Sequence, residues 1–308
     1  MTKSSARIGF VVSLCLAVSG HAAVAEAADD IRVTLLGTGT PYPDVDRFGA
    51  AILVDAGGAK LLFDCGRGAV IRLRQAGVPV QEVTKLFLTH FHSDHTVGIP
   101  DLWLSGWFLG RETPLQLWGP DGTREMAAHL LDAFGSDVRI REAPPESLPD
   151  EGARIRPHEV EEGIVYHDGG VRVSAVLVDH GHVEPAFGYR VDHGDRSVVI
   201  SGDTKFSEAL VDFSAGTDCV IHVAWMAESR NRTPPSSRSL ASAEDAGRVF
   251  ARVRPKLGVI YHFADSEGLV EAVQSEYQGP LVIAEDLMVI DISEETTWHI
   301  PSTPTGPR

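Results

Sequence analysis

The sequence predicts an α/β domain. Short apolar runs of strand character recur at residues 31–36, 51–54, 60–63, 85–88, 171–178, 198–200 and 257–261. Segments of helical period lie between some of them, a pattern of strands and helices packed in layers. Several of the runs end directly in a histidine or an aspartate, and polar residues on rigid strand ends read as a constructed site.

Residues 1–25 read as a targeting segment outside the fold. Lys3 and Arg7 give a basic start, residues 8–19 an apolar stretch, and Ala23-Val24-Ala25 or Ala25-Glu26-Ala27 a small-residue cleavage site. That stretch is too short to span a bilayer, and no later one approaches the necessary length. Cys15 lies inside it, which argues against a lipidated terminus. The expectation is a periplasmic or secreted protein with no membrane anchor, one domain over residues 26–300 and a flexible tail over 301–308.

The formal net charge is −16, and loss of Lys3 and Arg7 takes it to −18. Such a field repels polyanions, and no Lys/Arg-rich face offsets it. No nucleic-acid partner is expected. Beyond the leader only Cys65 and Cys219 remain, too few for a disulfide scaffold; a single disulfide and two buried thiols both stay open.

Taken in order, residues 31–36 run into Gly37-Thr38-Gly39-Thr40-Pro41. This lacks the G-x-G-x-x-G spacing of a dinucleotide fingerprint and reads as a tight turn beneath a site. The runs at 51–54 and 60–63 flank Gly57-Gly58, a hairpin. Asp64, at the end of the second run, is either an outer acceptor for a ligand imidazole or an ordinary turn aspartate. A helix is predicted over 70–75 with Gly77 closing it, and a second over 99–109, whose Trp103, Trp107 and Phe108 read as core first and as a binding wall second, where Trp103 or Trp107 could hold an aryl ring. Residues 119–156 are helical, then rich in Pro and Glu, and read as a lid or linker.

The chemistry centres on Thr89-His90-Phe91-His92-Ser93-Asp94-His95, directly after the run at 85–88. His90, His92 and Asp94 share one parity, so an extended segment points them one way while His95 reaches a second point. Imidazole and carboxylate together are a usual ligand set for zinc and similar ions, and the geometry suits two ions better than one. Three further strand ends supply what this segment lacks: Asp179-His180, Gly202-Asp203 and His262.

Together these features resemble the metallo-β-lactamase superfamily, and within it the group of ribonuclease Z and the arylsulfatase-like or phosphodiesterase-like hydrolases. The resemblance is carried by the Gly37–Pro41 turn, Asp64-Cys65-Gly66, the His90–His95 cluster, Gly119-Pro120, Phe187-Gly188-Tyr189-Arg190, Gly202-Asp203-Thr204 and Pro255-Lys256-Leu257 before His262. It implies a four-layer αββα sandwich and two divalent metal ions, zinc foremost. One metal would take His90, His92 and His180, the other Asp94, His95 and His262, with Asp203 bridging. His182 competes with His180 and otherwise lines the substrate pocket. Trp225 is a further pocket candidate, able to hold an aryl ring, and His222, also at a strand end, is either a pocket residue or a buried structural one.

Departures from ribonuclease Z stand beside the matches. That resemblance implies a His-Glu-Ala-Thr segment and a His-Ser-Thr segment whose Glu and His relay a proton to the leaving group. Here Val223 and Leu240 occupy those places, and no basic arm for tRNA is present. Ribonuclease Z activity is therefore disfavoured. The leading expectation is a hydrolase of a small-molecule ester, anionic or aryl, of phosphodiester or aryl sulfate type. A metal-activated water would attack, with Asp94 as the catalytic residue that orients it. Lactone or β-lactam hydrolysis, a catalytically reduced metal- or partner-binding protein and an iron redox protein are the alternatives, and an oligomer is possible.

Overall fold

A computed structural model describes residues 29–233 and 238–301. The predicted leader and all of the predicted tail except Pro301 lie outside the described residues. In chain order the strands are β1 (Ile31–Gly37), β2 (Ala51–Ala56), β3 (Ala59–Phe63), β4 (Lys85–Phe87), β5 (Leu115–Gly119), β6 (Ile155–Glu159), β7 (Gly163–Asp168) and β8 (Val171–Leu177). They continue as β9 (Phe187–His193), β10 (Arg196–Ile200), β11 (Cys219–Val223), β12 (Leu257–Tyr261), β13 (Leu281–Ile283), β14 (Met288–Ile292) and β15 (Thr296–His299). The helices are α1 (Ala69–Gln75), α2 (Ser93–Thr96), α3 (Ile99–Phe108), α4 (Thr123–Glu142), α5 (Glu208–Phe213), α6 (Ala243–Val253) and α7 (Leu269–Glu276).

Two sheets stack face to face. The first has the order β15-β14-β1-β2-β3-β4-β5-β6, the second β13-β12-β11-β10-β9-β8-β7. Strand alternation builds three cores from these sequences. Ile31, Val33 and Leu35 of β1, Phe63 of β3 and Phe87 of β4 face Val198, Ile221, Val259 and Tyr261 across the gap between the sheets. Leu53, Leu62 and Leu86 point the other way, against Leu73 of α1 and Leu102 and Trp103 of α3. On the far side Val220 and Ile260 pack on Ala246 and Phe250 of α6 and Val273 of α7. Helix, sheet, sheet and helix are the four layers of the expected αββα sandwich.

The hairpin and the short helix ending near Gly77 are present as predicted; residues 38–41 instead run on from β1 without a tight turn, the Gly39 N–H donating to the Phe48 carbonyl at 2.7 Å. Residues 119–156 differ from expectation. α4 and the segment after it form the crossover between β5 and β6, which pair in parallel; Met126, Leu130 and Phe134 of α4 pack on the outer face of the first sheet. This stretch is a helical layer, not a lid.

Strand direction brings the polar strand ends together. β10, β11 and β12 are parallel, and the antiparallel β8–β9 and β9–β10 pairs return β8 to the same direction. The ends of β8, β10 and β12 thus share one edge of the second sheet. β4 is joined to that edge where the Phe187 N–H donates to the Thr89 carbonyl at 2.9 Å and the Tyr189 hydroxyl to the Leu88 carbonyl at 2.8 Å.

Candidate metal centre

β4 ends at Phe87 and the chain continues extended to His92; α2 then begins at Ser93. β8 leads to His180, β10 to Asp203 and β12 directly to His262. Glycine is required at Gly202, where φ is +60° and a Cβ would stand 2.5 Å from the Phe187 carbonyl oxygen.

The donor atoms gather in two groups, His90, His92, His180 and Asp203 in one and Asp94, His95 and His262 in the other. Within each they lie no more than 4.8 Å apart. The equal-parity reading of the cluster is corrected here. An extended chain would send Asp94 beside His90 and His92, but the helical turn at Ser93 swings it to His95.

Asp203 stands between the groups. Its Oδ1 is 3.6 Å from His95 Nε2, and its Oδ2 is 3.9, 3.7 and 3.4 Å from the Nε2 atoms of His90, His180 and His262. Asp94 Oδ2 is 3.6 Å from Nε2 of both His95 and His262. Ligands of a tetrahedral ion with bonds of about 2.1 Å stand about 3.4 Å apart, so these spacings suit metal coordination. Asp94 Oδ2, His95 Nε2 and Asp203 Oδ1 are also buried without a hydrogen-bond partner, as expected of atoms aimed at a cation. The residues present fit two divalent ions.

Hydrogen bonds behind the ligands fix which ring nitrogen faces inward. Asp64, buried, accepts from His95 Nδ1 at 2.7 Å, from the Thr89 hydroxyl at 2.9 Å and from the Thr89 N–H at 2.8 Å. With its proton given to Asp64, the Thr89 hydroxyl accepts from His90 Nδ1 at 2.9 Å. His180 Nδ1 donates to the Ser239 carbonyl at 2.8 Å and His262 Nδ1 to the Gly39 carbonyl at 2.7 Å. Four imidazoles therefore present Nε2. His92 is the exception, with its Nδ1 2.9 Å from His90 Nε2 and 3.2 Å from His180 Nε2.

Electrostatics agrees with this arrangement. Burial and the adjacent His95 hold His90 well below its ordinary value, and burial and His180 lower His92. At His95 burial pulls down, but Asp64 and Asp203 prevail and raise it to about 9. Burial would raise Asp203, yet His262 and His95 hold it well below the usual carboxylate range. A carboxylate field that keeps a proton on His95 also favours a metal cation in its place.

A cavity of about 280 Å³ opens onto His92, His180, Asp203 and His262; Pro41, Trp225, Asn231, Thr233, Arg238, Ser239 and Leu240 complete its lining. Trp225 is thus where the sequence suggested. His182 is exposed and is not among the residues lining this cavity. Of the two readings of His222 the pocket one is corrected and the buried structural one holds. Ile221 and Val223 face the inter-sheet core, so alternation turns His222 to the helical side, fully buried and edge-on to Phe250. Its Nδ1 donates to the Val223 carbonyl, and burial lowers it to about 4. Trp103 and Trp107 are core, their indoles donating to the Ala153 and Pro149 carbonyls. Of the two relay positions, Leu240 lines the cavity and Val223 lies in the core between the sheets.

Sequence reasoning missed Thr89, the Gly39 and Ser239 carbonyls, and Arg238 on the wall; Asn231 and Thr233, also on the wall, belong to a loop at residues 230–235 that the sequence places near the site. Carbonyls leave no residue-type signal. Arg230, in the loop that carries Asn231 and Thr233, is exposed and paired with Asp265 and Glu267.

A family model described as Anti-Pycsar protein Apyc1 matches residues 31–234. A ribonuclease Z of Mycobacterium sp. (strain KMS) is 35% identical over 282 residues, which is 90% of this chain and 92% of that protein. The chain belongs to the Anti-Pycsar protein Apyc1 family, within the ribonuclease Z-like group of the metallo-β-lactamase superfamily. Among solved structures, the metallo-β-lactamase fold protein YhfI from Bacillus subtilis superposes with a TM-score of 0.70 at 20% identity, over 85% of this chain and 100% of that one. The short form of human tRNase Z gives 0.67 at 23%, over 88% and 100%. These two show the shared fold.

Superfamily membership makes the protein a metal-dependent hydrolase by class, with divalent metals such as zinc as the cations its members bind. It also overturns one expectation. A small-molecule ester with no nucleic-acid partner was read from acidity and from the missing arm, yet a relative named as a ribonuclease matches nine-tenths of the chain. The physical reason is one of range: net charge describes the far field, whereas a substrate meets the local charge of the cavity. Among the described residues no helix is long and apolar enough to cross a membrane.

Proposed function

We propose that this protein is a metal-dependent phosphodiesterase that hydrolyses ribonucleotide phosphodiester bonds. The observation that carries the reading is Asp203, one buried carboxylate whose two oxygens face both donor groups, at an opening in the cavity. Two zinc ions would be held by His90, His92 and His180 on one side, by Asp94, His95 and His262 on the other, and by Asp203 between them. When bound they supply Lewis-acid charge for the phosphoryl oxygens and water activated at neutral pH.

The chain's own residues do the rest. Asp94, whose Oδ2 faces the second donor group, would orient the attacking water, and its other carboxylate oxygen would take the proton. Asp64 and Thr89 hold His95 and His90 in the tautomer that points inward. Leu240 lines the cavity where a relay histidine would stand, so the leaving group departs without a proton from that side. Relatives named for ribonuclease chemistry support the phosphodiester over a sulfate or a lactone.

The test is metal analysis together with turnover. Metal-loaded protein should cleave an RNA oligonucleotide with a 3′ extension or a dinucleoside phosphate, and Asp203→Ala should abolish this. Hydrolysis of a lactone or an aryl sulfate with no cleavage of either phosphodiester would overturn the reading. The basic and apolar opening of the chain supports export; a full-length precursor found only in the cytosol would refute that part.

A further inference from the structure

We propose that Trp225 and Arg238 form a nucleotide subsite on the cavity wall, Trp225 stacking on a base and Arg238 pairing with a phosphate. The inference rests on the phosphodiesterase reading and names how its substrate is gripped.

Trp225 is partly exposed, unlike the core indoles of Trp103 and Trp107. Its backbone is fixed on both sides: its N–H donates to the Ala241 carbonyl at 2.8 Å, and its carbonyl accepts from the Ala264 N–H at 2.9 Å. These bonds tie its backbone to the segments entering α6 and leaving β12. Tyr42, 69% exposed, lies with its ring centroid 6.5 Å away at a tilt of 37° and extends the aromatic strip outward. An indole face on a cavity wall is a stacking platform for any base.

Arg238 is the one Lys or Arg among the described residues that line the cavity. Its side chain is only 15% exposed. Nε donates to the Thr233 carbonyl at 2.9 Å and Nη1 to Glu228, while Nη2 makes no hydrogen bond to a described residue. Glu228 is itself anchored, its N–H donating to the Glu244 carboxylate of α6 at 2.9 Å. A guanidinium held by two of its nitrogens in the lining of a cavity, its third without a partner among the described residues, is preorganised to donate to a phosphate oxygen. The adjacent Ser239 carbonyl receives His180 Nδ1, so the residue after Arg238 also positions a metal ligand. Arg does not deprotonate near neutral pH, which makes Arg238 a binding group and not a substitute for the absent relay histidine.

The experiment uses two esters with the same leaving group in the metal-loaded protein, uridine 5′-(4-nitrophenyl phosphate) and methyl 4-nitrophenyl phosphate. Trp225→Ala should raise KM for the uridine ester about tenfold, the worth of a stacked base, with kcat and the methyl ester changed less than twofold. Arg238→Gln should raise KM for both, and Arg238→Lys should recover part of the loss. Independently of turnover, uridine 5′-monophosphate should quench tryptophan fluorescence of the metal-free protein, and Trp225→Phe, the conservative variant, should remove that quench. KM within twofold of wild type in both Trp225→Ala and Arg238→Gln would overturn the subsite, as would a quench that survives in Trp225→Phe. If wild type hydrolyses no phosphodiester yet Trp225 reports nucleotide binding, the phosphodiesterase reading fails and the subsite stands. RNA cleavage without the quench overturns the subsite alone.

Discussion

Replacing Asp64 by Asn should weaken both metal groups at once, although Asp64 is a ligand in neither. In the native protein its two oxygens accept three hydrogen bonds, Oδ1 from the Thr89 N–H and Oδ2 from the Thr89 hydroxyl and His95 Nδ1. An asparagine offers one oxygen and one NH₂ in the same volume. If the oxygen faces the Thr89 N–H, the NH₂ meets two donors; if it is flipped, the Thr89 N–H loses its acceptor. Either way a buried donor is stranded and a charge-assisted bond is lost, a cost of about 1.5–3 kcal/mol. Metal affinity should fall about 10–100-fold, the usual effect of removing an outer partner of a ligand histidine.

Thr89→Val separates the two routes. It removes the hydroxyl that joins Asp64 to His90 and leaves the 2.7 Å bond to His95, so only the first group should weaken. Titration of each protein with zinc against a chromophoric chelator reads the two affinities, and denaturant unfolding of the metal-free proteins reports any general loss of fold. Wild-type affinity in Asp64→Asn would refute the reasoning. So would a Thr89→Val protein that loses affinity equally at both metals.

Other expectations follow from the same geometry. Asp203→Ala removes the carboxylate shared by both groups and should lower the bound metal by mass spectrometry from two ions to one or none. Chelation should lower the melting temperature, because metal present at 1,000 times its Kd contributes about 4 kcal/mol; an unchanged melting curve would refute binding at these residues. His222 is fully buried with its value lowered to about 4 from 6.5. The unfolded chain therefore takes up that proton first as pH falls. The stability His222 contributes is complete above about pH 6.5 and is lost toward pH 4, a change of about 3 kcal/mol. His222→Leu should flatten this part of the acid-unfolding profile, and an unaltered profile would count against it.

What was legible in the sequence was local. A run such as residues 85–88 followed at once by His90 and His92 announces both the strand and the donors it carries, and the Gly57-Gly58 turn announces its hairpin. The division of donors between two groups depended on a helical turn only four residues long at Ser93, below the length at which periodicity can signal a helix. His222 shows the complementary limit. It sits at a strand end like His180 and His262, but register within β11 turns it toward Phe250. Register is fixed by pairing with β10 and β12, strands far away in the sequence. Arg238 and Arg230 were likewise indistinguishable by residue type; only the placement of Glu228, Asp265 and Glu267 decides which cation is spent at the surface and which reaches the cavity.

The error over nucleic acid has the same origin and a sharper lesson. A formal charge of −16 sums carboxylates spread over the whole surface, and at physiological ionic strength their influence decays within about 8 Å. Inside the cavity the balance is different. Asp94 and Asp203 offer two negative charges where the donor set suits two divalent ions, leaving two positive charges in a confined, partly desolvated space. Arg238 adds a guanidinium already balanced by Glu228, so it contributes little attraction at a distance and a directed hydrogen bond on contact. On the proposed reading a phosphodiester would be drawn in by the metal centre and oriented by the wall. An acidic exterior slows the approach of a long polyanion without preventing one segment of it from entering, and it favours short or single-stranded ends over broad duplex surfaces. Salt should accordingly speed association with RNA at this surface. The usual basic nucleic-acid binder responds in the opposite sense, and measuring the sign of that dependence separates recognition by a site from recognition by a charged face.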